Sequence, residues 1–369
     1  MGAVIDIFYT KYLTEDGNKL SVGGIESYIY HLTELSHTLG IPTRVFQFAK
    51  NDFKVEYHNS VVYGVKNNSE SFKALWNTAL SVRNGSDRYL SIIANDSLIP
   101  SWKIPNSLVI QHGIGFDSTS TKHRPIIIEF LYKAFYAYRR IKRIYNVDEA
   151  ICVDNNYINW FHTQIMRRDI KLTPILNFAK IGPQKVERDS STIKIVFARR
   201  FVHIRGTHLF APVACRLLNK FDNIEITFAG NGPEEEYLKS TFKGYARVKF
   251  TEFSTTDSID FHQNYHIALV PTIYSEGTSL SLLEAMSSHC AVISTNIGGL
   301  SNIIIDGYNG LMISPDEEEL YNSLCLLIQN ETLRNFLANN AYETVKTGFS
   351  IDKWKDAWTK VLERRCITK

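Results

Sequence analysis

Short apolar runs of strand length recur along this chain, separated by stretches of helical periodicity, and the alternation breaks only once. Runs at residues 3–9, 43–48, 89–94, 107–111, 150–153 and 173–176 form a first block, with a long helix expected over 25–39. The break is Lys-Ile-Gly-Pro-Gln-Lys-Val-Glu-Arg-Asp-Ser-Ser at 180–191, polar and carrying a Gly-Pro pair. Runs at 193–198, 224–229, 248–250, 267–270 and 291–294 then form a second block. Alternating strands and helices need crossovers that return each strand parallel to the last, so the expected class is α/β. Two Rossmann-like doubly wound domains facing a cleft are predicted, because 369 residues exceed one compact core and 44 % hydrophobic residues suffice for two. The boundaries read 1–180, a linker at 181–191, 192–348, and a C-terminal segment at 349–369. Ligands of such sheets bind at the carboxyl ends of the strands.

Composition narrows the function. No apolar run reaches the ~20 residues of a membrane span. Met-Gly-Ala-Val-Ile-Asp-Ile-Phe at 1–8 reads as a first buried strand rather than a secretory leader, and Asp6 stands where N-myristoylation wants Ser or Thr. Five scattered cysteines without Cys-x-x-Cys spacing fit reduced thiols, so a cytoplasmic location is expected. A net charge of +3 with no recognition motif argues against nucleic acid as a partner.

The densest chemistry lies at 275–286, Ser-Glu-Gly-Thr-Ser-Leu-Ser-Leu-Leu-Glu-Ala-Met, just after the strand at 267–270. Leu280, Leu283 and Met286 recur at helical spacing, so strand, turn and helix start follow in order. On one continuous helix Glu276 and Glu284 would stand ~12 Å apart along the axis. That is too far for an acid and nucleophile pair, which needs roughly 5 to 9 Å. With Glu276 in the turn, the two suit opposite ends of an elongated ligand, and the amides of Gly277, Thr278, Ser279, Leu280 and Ser281 point at an anion between them. The competing reading is a pair of solvated surface glutamates.

These residues, with Val-Ile-Ser-Thr-Asn-Ile-Gly-Gly at 292–299 and Asp-Gly-Tyr-Asn-Gly-Leu at 306–311, resemble the donor half of glycosyltransferase family 4, retaining enzymes of the GT-B fold. His289 and Ala291 depart from the family's glycine and proline. The resemblance implies an acceptor-binding domain at 1–180, a nucleotide-sugar donor domain at 192–348, and a last helix, with Trp354, Trp358 and Val361 at helical spacing, that packs back on the first domain. It sets Arg200 and Arg205, in Phe-Ala-Arg-Arg-Phe-Val-His-Ile-Arg-Gly at 197–206, as cations for the donor diphosphate, with Arg199 in the family's glycine position. It implies that Gly23 and Gly24 approach phosphate, that Gly-Asn-Gly-Pro at 230–233 lines the nucleotide, and that His112, at a strand end, orients the sugar or supports charge at the anomeric carbon.

The mechanism so implied has Glu284 on the ribose, Glu276 on the sugar, and Arg200, Arg205 and the helix start stabilising the departing diphosphate. No cofactor and no metal are expected, and no Asp-x-Asp metal anchor occurs in the chain. The acceptor is expected to be a saccharide or a polyprenyl-linked one. Residues 122–145 read as a basic amphipathic helix: Lys122, Arg124, Lys133, Arg139, Arg140, Lys142 and Arg143 face one acid, Glu129. Docking on an anionic membrane at the inner face of the cell and an ordinary solvated cationic face both fit it. Up to residue 180 there are 21 basic and 16 acidic side chains, which leans towards the membrane. Composition leans towards bacterial surface polysaccharide (O-antigen, capsule or similar) synthesis. A silent nucleotide-sugar binding protein, or an epimerase or phosphorylase on the same fold, are the rivals.

Overall fold

The computed structural model describes residues 2–21, 23–66, 71–85, 87–113, 125–165, 169–189, 191–254 and 257–367. The chain divides into two units, one comprising 1–175 and 355–369, the other 176–354.

Among the described residues the first unit holds an eight-stranded sheet: β1 (Ala3–Phe8), β2 (Thr43–Ala49), β3 (Phe53–Tyr57), β4 (Ser60–Lys66), β5 (Arg88–Ile93), β6 (Ser107–Gln111), β7 (Glu149–Cys152) and β8 (Lys171–Pro174). Its order is β3-β4-β2-β1-β5-β6-β7-β8. Helices α1 (Gly24–Thr38), α2 (Phe72–Ser81), α3 (Ile126–Ile144) and α4 (Asn155–Trp160) connect them. β1 lies inside the sheet, Ile5 opposite Thr43 on one side and Leu90 on the other, and Ile5, Ile7 and Phe8 are wholly buried. A strand covered on both faces reads as an unbroken apolar run, which is why the sequence signalled it. Asp6 interrupts that run and stays buried between Arg44, at 2.8 Å, and Arg83, at 2.9 Å. The expectation of an all-parallel sheet needs one correction: β3 runs antiparallel to β4. Phe-Lys-Val-Glu-Tyr alternates apolar and charged, the period of an edge strand with one wet face.

Among the described residues the second unit holds a parallel six-stranded sheet, β9 (Ile193–Ala198), β10 (Ile224–Ala229), β11 (Val248–Thr251), β12 (Ile267–Val270), β13 (Ala291–Thr295) and β14 (Leu311–Ile313), in the order β11-β10-β9-β12-β13-β14. Its helices are α5 (Thr207–Lys220), α6 (Glu235–Thr241), α7 (Ser258–His262), α8 (Leu280–Ser287), α9 (Glu317–Gln329) and α10 (Glu331–Gly348); α11 (Ile351–Leu362) carries the chain back into the first unit. From β9 the chain builds outward through β10 and β11, then returns to place β12 on the other side of β9. The strand order therefore reverses between β9 and β12, where side chains from the two carboxyl ends can meet around a ligand.

The polar segment expected to link the blocks is part of the second unit. Arg188 donates to the carbonyls of Gln263 (2.7 Å), Ser288 (2.6 Å) and His289 (2.9 Å), capping the ends of α7 and α8. Gly182 N–H donates to Ser287 Oγ at 2.9 Å. Polar composition here marks a strap whose partners are helix-end carbonyls rather than water. His289 occupies the left-handed position after α8 (φ 55°), which explains why glycine is the usual residue there. Its ring stacks on Tyr342, centroids 4.1 Å apart, and Nε2 lies 3.1 Å from the Pro183 carbonyl, contacts that offset the strain.

Candidate functional site

At the switch point of the second unit, β9 delivers Arg199 and β12 delivers the turn from Pro271 to Ser279. Glu276 Oε2 accepts from Arg199 Nη2 at 2.7 Å, from Thr272 Oγ1 at 3.0 Å and from the Arg205 guanidinium. Arg199 Nη1 also donates to Thr272 Oγ1 at 2.6 Å, closing a triangle. Burial alone would raise the Glu276 pKa, but the charges of Arg199 and Arg205 outweigh it and hold the carboxyl below its usual value of 4.5. All three donors converge on Oε2. Oε1 accepts none of these bonds.

Two glycine positions shape the surrounding loops. Gly206 turns the chain from the 3-10 turn His203–Arg205 into α5 with φ 86°, and a Cβ there would lie 1.9 Å from the Pro271 carbonyl oxygen. Gly298 (φ 55°) is pressed against Glu276 in the same way, with 2.2 Å to its carbonyl oxygen, and Gly299 N–H donates to that oxygen at 2.8 Å. The Gly-Gly of 298–299 is thus the floor on which the Glu276 turn rests.

The sequence alignment set Arg200 beside Arg205. Arg200, placed with Arg205 on the donor diphosphate by the resemblance, is exposed, and Arg199 is the neighbour that meets Glu276. Sequence reasoning also missed Thr272 and Asn177, whose Nδ2 holds the Thr278 carbonyl at 2.5 Å. Only three-dimensional register identifies them.

Ser279 precedes α8 in an extended conformation and makes no side-chain cap; Leu283 N–H is the first to find a helical carbonyl, that of Ser279, at 3.2 Å. The amides of the first turn are therefore available to an anion. Thr278 and Ser279 are buried, Gly277 and Leu280 partly so. Glu284, partly exposed on α8, is pushed up to about 7 by desolvation, which a hydrogen bond from Ser258 only partly opposes.

In the first unit Gly23 and Gly24 begin α1, again without a side-chain cap, and Tyr9 OH donates to Glu26 at 3.2 Å. His112 follows β6. Its Nε2 lies 2.9 Å from the Ala94 carbonyl, so Nε2 carries the proton and Nδ1 the lone pair. Burial pushes its pKa down to about 4, the carbonyl contact notwithstanding, which keeps the ring neutral. Tyr28 meets it edge-on, centroids 5.7 Å apart, and Trp358 Nε1 donates to Tyr28 OH at 2.7 Å.

Within the basic stretch, Lys122 and Arg124 lie outside the described residues. α3 begins with exposed apolar side chains, Ile126, Ile127, Ile128, Phe130 and Leu131 among them. Arg140 is not a surface cation, because it pairs with Asp96 at 2.7 Å. Among the described residues no helix is long and apolar enough to cross a membrane.

Residues 192–330 match the family model described as Glycosyl transferases group 1. An uncharacterized glycosyltransferase of Methanocaldococcus jannaschii is 24 % identical over 269 residues, 69 % of this chain and 67 % of that protein. The UDP-Gal:alpha-D-GlcNAc-diphosphoundecaprenol alpha-1,3-galactosyltransferase of Escherichia coli is 20 % identical over 261 residues, 67 % of each. Among solved structures, sucrose-phosphate synthase from Thermosynechococcus elongatus superposes with a TM-score of 0.78 at 14 % identity over 99 % of both chains. That likeness is one of fold, and it agrees with the GT-B class implied by the sequence motifs.

Proposed function

Proceeding from a second unit that matches the group 1 glycosyl transferases over residues 192–330, we propose that the chain is a retaining, metal-independent glycosyltransferase of the family 4 type. It moves a sugar from a nucleotide diphosphate sugar to a saccharide acceptor, polyprenyl-linked, in bacterial surface polysaccharide synthesis at the inner face of the cell membrane. The observation that carries the reading is the convergence of Arg199, Arg205 and Thr272 on one oxygen of Glu276 beside the uncapped start of α8.

The donor diphosphate lies against the first-turn amides of α8, with the exposed Arg200 and the half-buried Arg205 as its cations. Glu276, ionised and fixed through Oε2, presents Oε1 to hydroxyls of the sugar. Glu284, one turn into the helix, takes the ribose hydroxyls. As the bond from the anomeric carbon to the phosphate oxygen breaks, negative charge grows on the diphosphate, and groups already oriented there stabilise it most in the transition state. The acceptor hydroxyl attacks from the same face, and its proton passes to the departing phosphate oxygen, which gives retention. Neutral His112 accepts a sugar hydroxyl through Nδ1, because protonating so buried a ring is unfavourable at neutral pH. The lipid-linked acceptor is supported by the Escherichia coli relative, whose name gives one, and by the exposed apolar start of α3.

The test is product formation from a panel of nucleotide sugars with a diphosphopolyprenyl saccharide. Transfer by the native chain, with Glu276→Ala and Arg205→Ala each lowering kcat by about 100-fold or more, is the expected result. Unchanged transfer in both variants refutes the site.

A further inference from the structure

A second cluster lies on the Arg205 turn and involves none of the groups assigned to transfer. His203 is in the 3-10 turn, His208 in the first turn of α5, and Glu234 just before α6. One ligand atom from each lies within 4.8 Å of the other two. His208 Nε2 is 2.9 Å from Glu234 Oε1, and the rings of His203 and His208 are 5.3 Å apart at their centroids. The other oxygen of Glu234 accepts from the buried Thr207 hydroxyl, which fixes the carboxylate plane. Tyr237 stacks on His208 at 4.3 Å and orients its ring.

We propose that His203, His208 and Glu234 form a binding site for a divalent transition metal, zinc by preference. Two imidazole nitrogens and one carboxylate oxygen are a common zinc donor set, whereas calcium and magnesium favour oxygen ligands. Three protein ligands leave the fourth tetrahedral position to water. At metal–ligand distances of about 2.0 to 2.1 Å, neighbouring ligand atoms stand about 3.3 Å apart, so the His208–Glu234 pair opens slightly and His203 swings in. Both histidines are exposed, which makes those movements easy. The Thr207 hydroxyl then holds the liganding carboxylate as outer partners of metal sites do. A metal here ties the turn that carries Arg205 to the starts of α5 and α6, and takes no part in the transfer step.

The full chain, stripped with chelator, is titrated with Zn2+ alone by calorimetry and with Co2+ as a spectroscopic substitute. One equivalent bound at low micromolar concentration or tighter, with the visible absorption of low-coordinate cobalt, is expected. His208→Ala and Glu234→Gln should each weaken binding at least about tenfold. His203→Gln should do the same without disturbing the His208–Glu234 pair, and it keeps the test informative if His208→Ala misfolds by circular dichroism. Absence of stoichiometric binding overturns the site. So does full affinity in the variants, which would place the metal elsewhere, at a cysteine for instance. No arm of the test depends on sugar transfer.

Discussion

Arg199 grips Glu276 Oε2 and Thr272 Oγ1 with separate nitrogens, 2.7 and 2.6 Å away, from a position that the resembling family fills with glycine. The planar guanidinium fixes the direction of the carboxylate as well as its charge. Arg205 and Thr272 remain on Glu276 if Arg199 is removed, so Arg199→Ala should cost about 2 kcal/mol in urea unfolding rather than the full penalty of a stranded charge. Arg199→Lys restores charge without the fork. It should recover much of the stability but still lower kcat at least about tenfold, because Glu276 is then free to rotate. Native kcat in the lysine variant would remove orientation from the role of Arg199.

If Glu284 holds the donor ribose as proposed, donor binding depends on pH. The Glu284 carboxyl is raised from 4.5 to about 7 by desolvation, so between those values the folded chain binds more protons than the unfolded one. Stability therefore falls as pH rises from 4.5 to 7, by at most about 3 kcal/mol and nearer 2 for a partly exposed side chain. Glu284→Gln should be more stable than the native chain at pH 8 and no different at pH 4. Donor affinity should move the opposite way. If only the ionised form accepts both ribose hydroxyls, binding of a nucleotide sugar should strengthen up to about tenfold from pH 6 to 8. Calorimetry across that range should give a flat profile for Glu284→Gln.

Much of this was legible in the sequence because it depends on local pattern. β6, β9, β10 and β12 fall where their apolar runs predict them, and the α8 turn was read from its spacing alone. What stayed hidden depends on register. Whether Arg199 or Arg200 meets Glu276 is decided by one residue of phase at the end of β9. The Arg188 strap looked like a linker because its partners are backbone carbonyls about 75 to 100 positions away, and carbonyls leave no trace in side-chain composition. The alternation at 53–57 is the sequence signal of the β3–β4 hairpin.

Glu149 ties the C-terminal turn into the first unit. It is wholly buried on β7, and Arg364 donates to both of its oxygens, at 2.8 and 2.7 Å, with Arg365 at 2.9 Å. Thr173 and Lys171 remain on the carboxylate if the arginines are removed. Arg364→Ala with Arg365→Ala should therefore cost about 2 to 3 kcal/mol in urea unfolding rather than the full penalty of a stranded charge. Adding Glu149→Gln should recover a large part of that loss, since an amide needs no cation. If the triple variant is no better than the double, the arginines act through packing.

We propose that α3 docks on an anionic membrane chiefly through its apolar side chains. Ile126 and Ile127 are 88 % and 73 % exposed, and Phe130 and Leu131 69 % and 60 %, while the exposed cations Arg139 and Lys142 lie towards the other end. Such a helix inserts its apolar start among acyl chains and keeps its cations at the headgroups. Each cation near an anionic surface is worth about 1 kcal/mol, so Arg139→Glu with Lys142→Glu should weaken binding to anionic phospholipid vesicles more than tenfold. Arg140 must be left alone, because reversing it places a second carboxylate beside Asp96 and perturbs the fold. Ile127→Ser with Phe130→Ser should abolish binding to anionic vesicles even with every cation in place. Cosedimentation that responds to the charge reversals but not to the serines would make the contact purely electrostatic, and binding untouched by either pair would move it off α3.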